Sequence, residues 1–206
     1  MQPSLPTRLS LRQAYLFVVS ASLVGLLVSG WMFPLIGIAF PAQNSANCPS
    51  APEVSGVTAR DFLNLSILVN PKAGTEFFVP ANFTIPADTI VEVTLDDFDT
   101  GASSVDSQYA QVCGTVNGTI AVDGRAISEV AVGTIAHTLT FTNGPYAGFN
   151  IPVPAANASA AVPARITFSV YFSVPGQYRW ECKASCGQTQ MSLDGRMSGL
   201  VTVQGR

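Results

Sequence analysis

Histidine is the scarcest reactive residue in this chain: among 206 residues there is one, His137. A lone imidazole, with no glycine-framed nucleophile, leaves no Ser-His-Asp arrangement and excludes hydrolysis of that type. Charge is also sparse, at 11% of residues with a net of -3 and no cluster of lysine or arginine. That removes the electrostatic footprint on which nucleic-acid binding depends. Amphipathic helical periodicity is almost missing, so no βαβ pattern forms, and three residues instead of two separate Cys182 from Cys186. A thioredoxin-like redox motif is excluded on both counts.

Charge is missing altogether from Ala14 to Phe40. An apolar run of this length crosses a hydrocarbon core about 30 Å thick, so residues 14–40 read as a transmembrane helix. Arg8 and Arg12 precede the run and the next basic residue is Arg60, which places residues 1–13 in the cytoplasm and the rest outside. A cleaved signal peptide is the competing reading, with Ala42 and Ala46 as small residues beyond the run, but signal h-regions span about 7 to 15 residues. Either reading exports the domain. Four sequons, at Asn64, Asn82, Asn117 and Asn157, agree with export.

The exported part divides into a Pro-, Ser- and Asn-rich linker over residues 41–60 and a domain over 61–206. Phe62 to Val69 alternates as a strand, and Val79 to Leu95 holds two extended segments broken by Pro80 and Pro86, which suits edges or strand starts. From 96 to 125 Asp, Ser, Gly and Thr replace the alternation; Asp96, Asp97, Asp99 and Asp106 lack EF-hand spacing and read as a solvated loop instead of a calcium site. His137 lies in the strand-like run Ile135 to Phe141, and Asn143 to Pro163 reads as a long connection. Four cysteines allow three pairings; Cys48 and Cys113, away from the terminal motif, are the expected structural pair. Many short strands and proline-rich turns make the domain an all-β sandwich or barrel.

The end of the chain carries the chemistry. Phe168, Val170 and Phe172 alternate with polar residues, Pro175-Gly176 turns, and Tyr178, Trp180 and Cys182 alternate on the next strand. Aromatics at that spacing are core packing, and Leu200 to Val203 closes the set.

The ordered segments "VPANFTIPADTIVEVTL", "IAHTLTF", "SVPGQYRWECKASCG" and "MSGLVTV" resemble the cupredoxin domain of subunit II of haem-copper terminal oxidases, with residues 96–125 as an insertion. The resemblance implies a Greek-key cupredoxin sandwich behind one N-terminal transmembrane helix. It also implies a copper centre relaying electrons from cytochrome c, a small copper protein or a quinol to a haem-bearing subunit. By position it assigns metal ligation to His137, Cys182, Cys186, the backbone carbonyl of Ala184 and, across a longer loop, Met197; Met191 is a further sulfur donor that the loop itself offers. Where the family places a second histidine and a methionine, this chain has Gln190 and Leu193, and Met197-Ser198-Gly199 follows a longer loop. The expected centre is therefore an altered copper site in which sulfur replaces imidazole. Two alternatives stand beside it: a Cys182–Cys186 disulfide in a copper-free structural subunit of a quinol oxidase, and an exported copper-binding or surface protein with no oxidase partner.

Overall fold

A computed structural model describes residues 48–70, 72–159, 162–185 and 195–205. The expected transmembrane helix, Cys186, Met191 and Gln190 lie outside the described residues. Among those described, eleven strands form two sheets: β1 (Arg60–Asn70), β2 (Thr75–Val79), β3 (Phe83–Pro86), β4 (Ile90–Asp97), β5 (Ile120–Val122), β6 (Arg125–Ile127), β7 (Ile135–Phe141), β8 (Asn150–Pro154), β9 (Ala164–Tyr171), β10 (Gly176–Glu181) and β11 (Ser198–Gln204). The first sheet runs β2-β1-β4-β9-β5-β6 and the second β3-β11-β10-β7-β8. The pairs β1/β4 and β3/β11 are parallel, and the other ladders are antiparallel.

Period-2 alternation builds this sandwich. On β4, Val91, Val93 and Leu95 point inward, and β9 answers with Ile166, Phe168 and Val170. Leu139 and Phe141 on β7 meet them from the second sheet. Aromatic packing concentrates at the end where Ile90 pairs with Tyr171: Tyr146 stacks against Phe172 at 4.3 Å and Phe141 against Phe149 at 4.9 Å between ring centroids. The opposite end, where Asp97 pairs with Ala164, is where the polar side chains gather.

Proline behaves as expected in β3, an edge strand that ends at Pro86. It misleads in the segment read as a long connection, because Asn150–Pro154 is a strand paired with β7. β8 tolerates Pro152 and Pro154 because it lies at the sheet edge, its outer side meeting only the isolated bridge from Asn150 to Cys113. The supposed solvated loop also needs correction: Asp97 is the last residue of β4 and is fully buried, Asp99 is half-buried, and Asp96 accepts two bonds from Arg165 at 2.8 and 3.1 Å. The expected Cys48–Cys113 disulfide is present, fastening the chain before β1 to the sandwich across 65 residues. Pro49 then lies close to Phe149 and Gly114.

Trp180 is the keystone of the polar end. Fully buried, it packs against Phe78 at 4.5 Å and donates Nε1–H to the Ala81 carbonyl at 2.8 Å. Its cross-strand partner is Gly199, where an added Cβ would collide with the Ala81 carbonyl and stand 2.9 Å from Trp180 Nε1. Backbone on one side leaves no room to yield. Gly199→Ala therefore loses about 1–3 kcal/mol of stability by overpacking, measured by urea denaturation of the full-length chain, whereas Gly133→Ala, with no atom near its Cβ position and no left-handed backbone, shows no comparable loss.

Candidate metal centre

His137 sits on the inward face of β7 with Leu139 and Phe141, just after a register shift between Ile135 and His137, and none of it reaches solvent. A buried imidazole requires partners for both nitrogens. Nε2 lies 3.1 Å from Asp99 Oδ2, and Nδ1 lies 4.0 Å from Glu76 Oε2. Cys182 also engages the ring through its side chain. The donor atoms of Glu76, Asp99 and His137 lie within 4.8 Å of one another.

Each carboxylate arrives by strand geometry. Glu76 shares parity with Phe78 on β2, so the pleat that buries the phenyl ring turns Glu76 inward as well. Asp97 continues the inward series Val91, Val93, Leu95 one step past the apolar residues. The backbone N–H of Asp99 donates to Asp97 Oδ1 at 2.9 Å, and Asp99 Oδ1 accepts the Gly101 N–H at 2.9 Å. This local turn points the remaining Asp99 oxygen at the imidazole.

Cys182 follows β10, and its backbone N–H donates to the Met197 carbonyl at 2.9 Å. The thiol sulfur accepts the Thr138 N–H at 3.4 Å and lies 3.8 Å from the Ala184 carbonyl oxygen. Cys182, Ala184 and Met197 form a buried cluster covered by Val105. The loop is tied down by Ser185 N–H to Ser104 O at 2.8 Å and by Phe78 N–H to Arg196 O at 2.9 Å. Of the residues singled out from sequence, the fold gathers His137, Cys182, Ala184 and Met197. It adds Glu76, whose only sequence signal was its parity with Phe78, and Asp97 and Asp99, which the sequence offered as part of an acidic group and which read there as a solvated loop. Tyr178 and Trp180 are buried packing residues, as their alternation implied.

Burial and charge compete at this end of the sandwich. Burial by itself drives the His137 pKa down, but the Asp99 hydrogen bond, Cys182 and the charge of Asp97 outweigh it and lift the imidazole to about 10. Burial pushes Asp97 up to about 7 against the opposing attraction of His137. Burial also pushes Asp99 upward, but bonds from His137 and the Gly101 N–H hold it below the ordinary carboxylate value.

Folded His137 keeps its proton up to about pH 10, while the unfolded imidazole loses it near 6.5. Its contribution to stability is full below 6.5 and is lost as pH rises through 10. Asp97 acts in the same direction at lower pH, because the unfolded carboxyl ionises near 3.8 and the folded one only near 7. Urea denaturation of the metal-free chain should therefore show stability falling between about pH 4 and pH 10. Asp97→Asn should remove the part below pH 7; an identical slope in that variant contradicts the assignment.

No family model matches this chain, and no curated protein matches it. Solved structures do. Rusticyanin from Thiobacillus ferrooxidans is 14% identical, with 69% of this chain and 77% of that chain covered and a TM-score of 0.37. Auracyanin B is 14% identical over 77% of this chain and 99% of its own, with a TM-score of 0.35. A chain of a haem-copper terminal oxidase dimer is 13% identical over 93% of this chain and 99% of its own, with a TM-score of 0.31. At such identities and scores the chemistry rests on the residues of this chain.

Proposed function

We propose that this chain is a membrane-anchored, cupredoxin-like subunit II of a respiratory haem-copper terminal oxidase that relays electrons through an altered copper site. The observation that carries the reading is the docking of Cys182, from the end of β10, on β7 beside His137: its sulfur accepts the N–H of the adjacent Thr138 at 3.4 Å and packs with Ala184 and Met197. Imidazole and sulfur from separate strands, brought together in the buried interior, fit copper: nitrogen, thiolate and thioether are the donors it takes, and the frame resists rearrangement. In the sequence Cys186 follows Cys182 as the candidate second thiolate, and Met191 is a further candidate.

Copper bound there would supply a one-electron couple. The remaining work belongs to the chain. Asp99, 3.1 Å from Nε2, fixes the orientation of the His137 ring in the metal-free chain. The Thr138 N–H directed at the Cys182 sulfur withdraws charge from the thiolate. Val105 and Met197 cover the sulfur, and Trp180 holds the strand that delivers it. Residues 14–40 anchor the subunit in the plasma membrane with the domain outside, where cytochrome c, a small copper protein or a quinol donates and a haem-bearing subunit accepts. Exposure of Asn64, Asn82, Asn117 and Asn157 supports an exported surface.

A second reading, a copper-free structural subunit of a quinol oxidase, is favoured by one observation: Asp99 already satisfies His137 at 3.1 Å, as a purely structural ion pair would. Metal analysis and the optical spectrum of the full-length chain, purified reduced and reconstituted with copper, separate the two. The relay reading expects bound copper with thiolate-to-metal absorption that Cys182→Ser abolishes. Absence of copper, with Cys182 and Cys186 recovered as a disulfide, establishes the structural subunit.

A further inference from the structure

The sequence lacks a second imidazole, yet the buried end of the sandwich does not lack donors. Glu76 approaches the Nδ1 edge of His137 at 4.0 Å and Asp99 the Nε2 edge at 3.1 Å, so two carboxylates flank one ring. Asp97 lies behind them, wholly buried; its Oδ1 accepts the Asp99 N–H, whereas its Oδ2 has no hydrogen-bond partner among the described residues. The Asp99 N–H, 2.9 Å from its Oδ1, ties it to the same cluster. An isolated structural pair would need one carboxylate for one imidazole. Here two half-buried carboxylates flank one imidazole with a third, fully buried, beside them, and ionising all three is expensive away from water unless protons or a cation balance the charge.

We propose that Glu76 and Asp99 supply oxygen ligands in place of the missing imidazole, making the centre at His137 a mixed oxygen, nitrogen and sulfur site for a borderline divalent cation. The inference rests on the reading that a metal binds at His137, and it changes which ion and oxidation state that site favours. Carboxylate oxygen is a hard, anionic donor that suits Cu2+ or Zn2+ and contributes little to Cu+, which thiolate and thioether hold. The site therefore discriminates by charge: the carboxylates govern affinity for the divalent ion, and Cys182 with Met197 govern affinity for the monovalent one. The donors of Glu76, Asp99 and His137 lie within 4.8 Å of one another; because the carboxylates approach different ring nitrogens, one must swing to the nitrogen that ligates, and Glu76, on an edge strand, has the freer approach. Asp97 acts through Asp99, whose backbone it holds.

The test uses the full-length chain in detergent, titrated with Cu2+, Zn2+ and, under reducing anaerobic conditions, Cu+, each against a competing chelator. Glu76→Gln and Asp99→Asn should each weaken Cu2+ and Zn2+ binding by about 10- to 100-fold and leave Cu+ affinity within about threefold, while Cys182→Ser does the reverse for Cu+. X-ray absorption of the wild-type Cu2+ form, which needs no variant to fold, should show oxygen and nitrogen outnumbering sulfur around the metal. Unchanged divalent affinity in both carboxylate variants, or a wild-type shell of sulfur and one nitrogen only, overturns the inference while leaving the copper relay intact. Zinc bound through Glu76, Asp99 and His137 with no copper taken up in either state supports the inference and overturns the relay. Failure to bind any of the three ions overturns both.

Discussion

One imidazole sealed between two sheets sets the terms for this end of the molecule. His137 cannot reach water, so the chain must bring partners to it, and they come from widely separated segments: Asp99 beyond β4, Glu76 on β2 and Cys182 beyond β10. Each of those side chains is in turn held by backbone. Asp99 is fixed by Asp97 and Gly101, and Cys182 by Thr138 and Met197. The sandwich is thus asymmetric along its length, with an aromatic end that supplies cohesion and a polar end that supplies chemistry.

The asymmetry follows from how strands distribute side chains. A pleat does not distinguish a valine from an aspartate; it places every second residue inside. Continuing the inward series of β4 by one step turns Asp97 into the core, and the same rule on β2 turns Glu76 inward beside Phe78. Buried carboxylates are costly, so a fold that retains three beside one histidine either keeps protons on them or balances them with a cation. The elevated pKa of Asp97, about 7, is the metal-free form of that balance.

Much of the fold was legible because period-2 alternation is a local signal. Phe168, Val170 and Phe172, or Tyr178 and Trp180, announce their strands within a few residues. β8 was not legible, since Pro152 and Pro154 look like connection residues and only their edge position, a tertiary fact, makes them compatible with a strand. Of the site, His137, Cys182, Ala184 and Met197 were readable through the order of short motifs. Asp97 and Asp99 were not, because they open a stretch of Asp, Ser, Gly and Thr whose composition is that of a turn, and burial there depends on register with β9. Glu76 offered no cue beyond its spacing from Phe78.

The claim that His137 nucleates a metal centre is tested most directly by the unfolding midpoint of the full-length chain with and without Cu2+, for wild type and His137→Ala. A ligand that binds only the folded state stabilises it by about 2.7 kcal/mol at a hundredfold excess over its dissociation constant. The account expects a rise of that order in wild type that is absent in His137→Ala. An equal shift in both proteins, or none in wild type, would contradict it.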